Sequence, residues 1–101
     1  MSEPSDELLR AKINLETSKI SWLDLQTFFA RGQVVLASDR IDLIEVALRL
    51  SHDDKETFEQ WLENGDVSYV QDTLAEKWFN EKKVLWSVVV APWVIVQDKN
   101  Q

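Results

Sequence analysis

Cysteine is missing from the chain altogether. Disulfides, thiolate metal sites and cysteine nucleophiles are thereby excluded, and the absence fits a reducing compartment. Glycine occurs twice, at Gly32 and Gly65. Neither a Walker loop nor a dinucleotide fingerprint can be built from two, because each needs several glycines to bring backbone N–H groups against phosphate. There is one histidine, His52, and no Gly-x-Ser-x-Gly elbow, which leaves little support for nucleophilic catalysis. Positive charge is scarce: 11 Lys and Arg stand against 18 Asp and Glu, a net charge of −7. Phosphate backbones and anionic lipid are repelled by such a surface on average. Only Lys82 and Lys83 are adjacent, so no basic patch is legible. The longest apolar run, Leu85–Val96, is too short to span a bilayer and contains Ser87 and Pro92. The acidic first residues lack the basic-then-apolar pattern of a secretory signal. These absences predict a cytoplasmic protein with no cofactor, no nucleic-acid partner and no membrane contact.

What is present suits one α+β (or small α/β) domain. At 101 residues, 45% of them apolar and 29% charged, a single core is possible without staples. The domain is expected to take in the whole of 1–101, with 1–5 and 98–101 flexible. Ser5 or Asp6 is placed to cap a first helix running to about Thr17. Ser21, with Asp24 three residues on, opens a second, in which Trp22, Leu25, Phe28 and Phe29 share a face and Arg31-Gly32 closes the helix. Gln33–Ala37 reads as a strand. Asp39 is the expected cap of a third helix carrying Leu43, Val46, Ala47 and Leu50, against the rival of a strand over 41–46. Asp53 and Glu56 start a fourth, ending at Asn64-Gly65. Val67–Val70 is a second strand, and a Thr73/Glu76 capping box opens a fifth helix. Leu85–Gln97 is the most apolar and β-branched stretch, the mark of a strand buried on both faces. Pro92 cannot donate a ladder bond, so a bend is expected there between Leu85–Ala91 and Trp93–Gln97. The order α-α-β-α-α-β-α-β gives five helices around a three-stranded sheet.

Chemistry-bearing candidates are few. Asp42 and Glu45 lie one helical turn apart, and His52, Asp53 and Asp54 could approach from the helix end. Such an oxygen-rich set suits Mg²⁺, Mn²⁺ or Ca²⁺. Asp42 and Asp53 also have capping uses, and His52 suits a helix C-terminus, so the spacing alone assigns no metal. Arg31 could receive an anion or carboxylate partner, or simply complement a helix end. Tryptophan is the unusual feature. Trp22, Trp61, Trp78, Trp86 and Trp93 are many for a core this small, which places one or two at an interface or pocket rim. Trp93, just after the bend, is the foremost of these, with Gln97 beyond it on the same extended end.

The blocks Trp22-x-x-Leu-x-x-Phe-Phe-Ala-Arg-Gly32, Asp42-Leu-Ile-Glu-Val-Ala47, Asp53-Asp54 and Leu85-Trp86 with Val90-Ala-Pro-Trp-Val-Ile-Val-Gln97 resemble a small bacterial family known only as a domain of unknown function, numbered 2288. The resemblance extends from about residue 8 to 97. It implies a stand-alone bacterial protein of about this length and supplies no activity or binding residues. The residues themselves favour a non-enzymatic protein-interaction module, docking a protein partner or a second copy as a homodimer. The alternative is an enzyme or binding protein for a small molecule or divalent metal. Its pocket near the Pro92 bend would gather Arg31, Asp42, Glu45, Trp93 and Gln97. An acidic mimic of nucleic acid ranks last, because acids and bases are interleaved.

Overall fold

A computed structural model describes residues 6–98. Its chain runs α1 (Asp6–Glu16), β1 (Ser18–Ser21), a 3-10 turn (Trp22–Leu25), α2 (Gln26–Ala30), β2 (Val34–Ala37), α3 (Leu43–Ser51), α4 (Lys55–Asn64), β3 (Val67–Tyr69), α5 (Asp72–Glu81), β4 (Val84–Val90) and β5 (Trp93–Gln97). The architecture is α+β with five α-helices, as expected, but the sheet has five strands rather than three. Its order is β1-β4-β5-β2-β3. The β5–β2 pair is parallel and the other three pairs are antiparallel.

Two of the strands were not foreseen as such. Ser18–Ser21 pairs with the start of β4, Ile20 opposite Leu85. The Leu85–Gln97 run folds back on itself at Ala91-Pro92, setting Val90 opposite Trp93 and Trp86 opposite Gln97. The proline therefore sits in a hairpin turn, where its missing donor costs no ladder bond. β5, now central, is buried between β4 and β2.

Period-2 alternation sends successive side chains to opposite faces, and each face has its own core. One is built on Val35, Ala37, Val67, Val88 and Ile95, covered by Ile13 of α1, Val46 and Leu48 of α3 and Phe58 of α4. The other is built on Val34, Leu85, Val94 and Val96, covered by Trp22, Leu25 and the α5 pair Ala75 and Trp78. Helices thus lie on both sides of one mixed sheet, a two-core layering that a sheet apolar on both faces demands.

Several helix starts differ from expectation, by one to four residues. Asp42 rather than Asp39 caps α3, its Oδ1 accepting from the Ile44 N–H at 3.0 Å. Asp54 rather than Asp53 caps α4. Gln71 precedes α5 without a side-chain cap, so Thr73 and Glu76 form no capping box. Ser21 does cap, but it caps the 3-10 turn, and the α-helical part starts only at Gln26. Candidate Ser5 lies outside the described residues, as do 99–101, while the Asp98 carboxylate stands 3.0 Å from Lys83 Nζ.

Gly65 ends α4 in the left-handed region at φ 86°. A Cβ there would meet Arg40 Nη2 at 3.4 Å, an ordinary contact, so the requirement for glycine is backbone strain and not space. Gly65→Ala is expected to cost roughly 1–2 kcal/mol. Urea unfolding would show this as a lower midpoint at unchanged slope.

Candidate functional site

On one face of β5, residues 93, 95 and 97 alternate inward. Trp93 and Gln97 therefore point the same way, about 13 Å apart along the strand. Helix α3 has a closely matching length, nine residues or about 13.5 Å. Its N-terminus stands over Gln97 and its C-terminal end over Trp93. Each end leaves a concavity.

At the hairpin end the concavity measures about 260 Å³ and is lined by Leu50, Phe58, Leu62, Tyr69 and Trp93 with Asp53, Asp54, Lys55 and Glu59. Trp93 is half-buried and stands between Phe58, centroids 6.4 Å apart, and Tyr69, 6.2 Å apart, both tilted. These spacings are those of packed aromatic pairs. Tyr69 is 42% exposed. The wall is apolar and the rim carries three carboxylates against one ammonium.

The three acids are held differently. Asp54 Oδ2 accepts from the Thr57 hydroxyl at 2.8 Å, and its Oδ1 accepts from the Thr57 N–H at 3.2 Å. Arg49 Nη1 stands 3.8 Å away. The two Thr57 hydrogen bonds hold the Asp54 carboxyl below its ordinary 3.8; burial opposes them in part, and the charges of Arg49 and His52 add smaller effects in the lowering direction. Asp53 has φ 57°, a left-handed conformation that aspartate tolerates better than most residues. Among the described residues neither Asp53 nor Glu59 has an ion pair. Both remain available to an incoming cation.

A folded-state carboxyl held below its unfolded value stabilises the fold above that unfolded value, and the stabilisation is lost as pH falls through the lower, folded one. Native protein is therefore expected to exceed Asp54→Asn in stability above pH 3.8, with the difference closing on further acidification. Urea midpoints of the two proteins across that range check it.

The second concavity, about 250 Å³, is lined by Asn14 and Thr17 at the end of α1, Asp42, Leu43 and Ile44 at the start of α3, and Trp86 and Gln97 on the sheet. Gln97 is fully buried. Its Nε2 donates to the carbonyls of Ser38 at 2.8 Å and Ile41 at 2.7 Å, fastening the loop before α3. Its Oε1, also buried, has no hydrogen-bond partner. An unsatisfied buried acceptor costs about 1–3 kcal/mol.

The candidates drawn from sequence are thus divided. Trp93, Asp53 and Asp54 come together at the hairpin end, and Asp42 and Gln97 at the other. Gln97 does not lie on an exposed strand end. Glu45 joins neither group, because Arg10 and Arg49 both hold its carboxylate, Arg49 Nε at 3.1 Å. Arg31 is exposed at the C-cap of α2, on the opposite side of the sheet. The five residues of a pocket at the bend are therefore not assembled. Asp42 and Asp53 stand at opposite ends of α3, and among the described residues no three His, Asp or Glu side chains group as metal ligands. His52 is the C-cap of α3, as its position suggests, with Nε2 3.1 Å from Asp6 Oδ1. Phe58, Tyr69 and Glu59 of the groove, and Asn14 and Thr17 of the cavity, were not singled out by sequence, whereas Trp86 was among the five tryptophans considered for a pocket rim. Tyr69 alone carried a signal, an aromatic on the outer end of a short alternating strand. Among the described residues no helix is long and apolar enough to cross a membrane.

Residues 8–98 match the family described as "Protein of unknown function (DUF2288)", and the chain belongs to that family. It is also similar to the protein of the "NMR solution structure of PA1075 from Pseudomonas aeruginosa". Identity is 42%, the match covers 100% of this chain and 93% of that one, and the TM-score is 0.79. No curated protein matches the chain.

Proposed function

For this member of a family without an assigned activity, we propose a cytoplasmic, non-enzymatic role as a protein-interaction module. Its docking surface is the groove at the hairpin end. Its occupant is a segment of a partner protein that presents Lys or Arg beside an apolar residue. One observation carries this reading: Trp93 stands half-buried between Phe58 and Tyr69, under a rim of Asp53, Asp54 and Glu59. Aromatic faces attract cations, most strongly when the site is partly desolvated. Partly buried aromatics walled by apolar side chains (here Leu50 and Leu62) are also the usual carriers of interface energy. The net charge of −7 would steer a basic partner toward the domain before contact.

A second copy of the chain suits this groove less well. A two-fold contact sets the same patch against itself, and would face Asp53, Asp54 and Glu59 with their own duplicates. Self-association, if it occurs, belongs on another surface.

Calorimetric titration with a short peptide containing a central Arg-Leu-Lys, beside one with Glu-Leu-Asp in the same place, tests the proposal. Saturable binding of the basic peptide that weakens with added salt, with none of the acidic one, is the expected result. Equal binding of both, or of neither, overturns it.

A further inference from the structure

The cavity at the other end of α3 has a chemistry of its own. Strand β5 is built of Val and Ile there except at Gln97, whose side chain is fully buried. The two bonds from Nε2 explain why an amide donor is present. They do not explain the Oε1 acceptor, which is buried with nothing to accept from, in a residue that lines the cavity. Three further features agree in sign. Asp42 Oδ1 accepts from the Ile44 N–H, which leaves the other carboxylate oxygen and the charge free, and among the described residues Asp42 has no ion pair. Helix α1 points its C-terminus at the cavity with no basic residue in its last turn, so the negative end of its dipole is uncompensated. Trp86 presents an indole to which an ammonium already binds, that of Lys19, 5.1 Å from the ring centroid. Two groups face the other way: the Lys19 ammonium itself, on the strand beside Trp86, and the N-terminus of α3, which would favour an anion but whose capping position Asp42 occupies.

We infer that this cavity binds the primary ammonium group of a small aliphatic amine. The ammonium donates to Gln97 Oε1 and Asp42, and the alkyl part lies against Trp86 and Ile44. The volume, about 250 Å³, admits a molecule of a few heavy atoms and not a folded chain segment. This site lies a helix length away from the groove proposed to dock proteins and is independent of that reading. Lys19 is not a ligand here. Its charge opposes an incoming ammonium from the neighbouring strand.

The test is a ¹H–¹⁵N titration of the whole protein with n-butylammonium chloride, against sodium butanoate at matched ionic strength. It follows the Gln97 side-chain amide and the Trp86 indole N–H. Saturable shifts of both resonances with the amine, and none with the carboxylate, are expected. Asp42→Asn keeps a good N-cap and should weaken the amine several-fold. Lys19→Met should tighten it. A purely structural cavity would give no such pair of opposite changes. Equal shifts with butanoate, no saturation at millimolar amine, or an Asp42→Asn variant that binds like native protein would each overturn the assignment.

Discussion

Trp93→Ala is expected to weaken the Arg-Leu-Lys peptide by at least about tenfold, the effect of removing a central interface aromatic. The ring does three things at once. In the proposed complex it would supply the face for the cation and keep water from the groove floor, and it packs against Phe58 and Tyr69 at their tilted spacings. Alanine removes all three, whereas Trp93→Phe keeps an aromatic face and should lose only part of the affinity. The fold should survive, because Trp93 is half-buried and sits beside the two-residue turn of the hairpin, opposite Val90. Tyr69→Ala serves as a second variant. Tyr69 is 42% exposed, so its loss should affect binding with little effect on stability. Peptide affinity by calorimetry, with thermal melting of each variant alongside, separates the two effects. Unchanged affinity in both alanine variants would remove the groove from consideration.

The largest loss of stability is expected on the opposite face. Trp22 is fully buried, 5.1 Å from Trp78 in an edge-on contact and 5.4 Å from Phe29. Its backbone N–H also donates to Lys83 O at 2.7 Å, tying the 3-10 turn to the start of β4. Trp22→Ala should cost about 3–5 kcal/mol through lost burial and the cavity left behind. For a domain whose whole stability is on the order of 5–15 kcal/mol, that leaves little margin. Trp22→Phe should be far milder than size alone suggests, since the indole N–H is buried without a partner and phenylalanine removes that unsatisfied donor. Urea midpoints rank the three proteins. An alanine variant as stable as the phenylalanine one would contradict this account of the second core.

The elements that could be read from sequence were those whose signal is local. Helices α3 and α4 follow their apolar spacing, and Gly65 ends α4 where Asn64-Gly65 suggested. Strand β1 was hidden because Ser18-Lys19-Ile20-Ser21 is short and polar. Its pairing comes from β4, a partner more than sixty residues away in register, and an edge strand with lysine has reason to look unlike a central one. The caps slipped because neighbouring residues are equally able to cap: Asp39 and Asp42, or Asp53 and Asp54, differ only in where the preceding loop delivers them. Pro92 was identified as a break, but whether the chain bends or returns as a hairpin is decided by pairing between Val88 and Ile95 and their neighbours.

The sites were less legible, for the same reason. Trp93 stood out by type and position. Its neighbours Phe58 and Tyr69 come from α4 and β3, and nothing local indicates that the sheet order β5-β2-β3 will bring them beside it. Asp53 and Asp54 were noted as metal candidates. They stand beside the aromatic rings of the groove, with Arg49 Nη1 3.8 Å from Asp54. Sequence places Gln97 on an extended end because it follows the Pro92 bend. The alternation Trp93, Ile95, Gln97 sends it inward, and the carbonyls of Ser38 and Ile41 keep it there.

The central claim is that the hairpin groove receives a basic segment, and the most direct measurement is a ¹H–¹⁵N titration of the full chain with the Arg-Leu-Lys peptide. The five tryptophans make it selective, because each contributes its own indole resonance. The account predicts that Trp93 shifts together with the amides of Phe58 and Tyr69, while Trp22, Trp78 and Trp86 stay in place. Shifts centred on any of those three, or no saturable shift at Trp93, would contradict it.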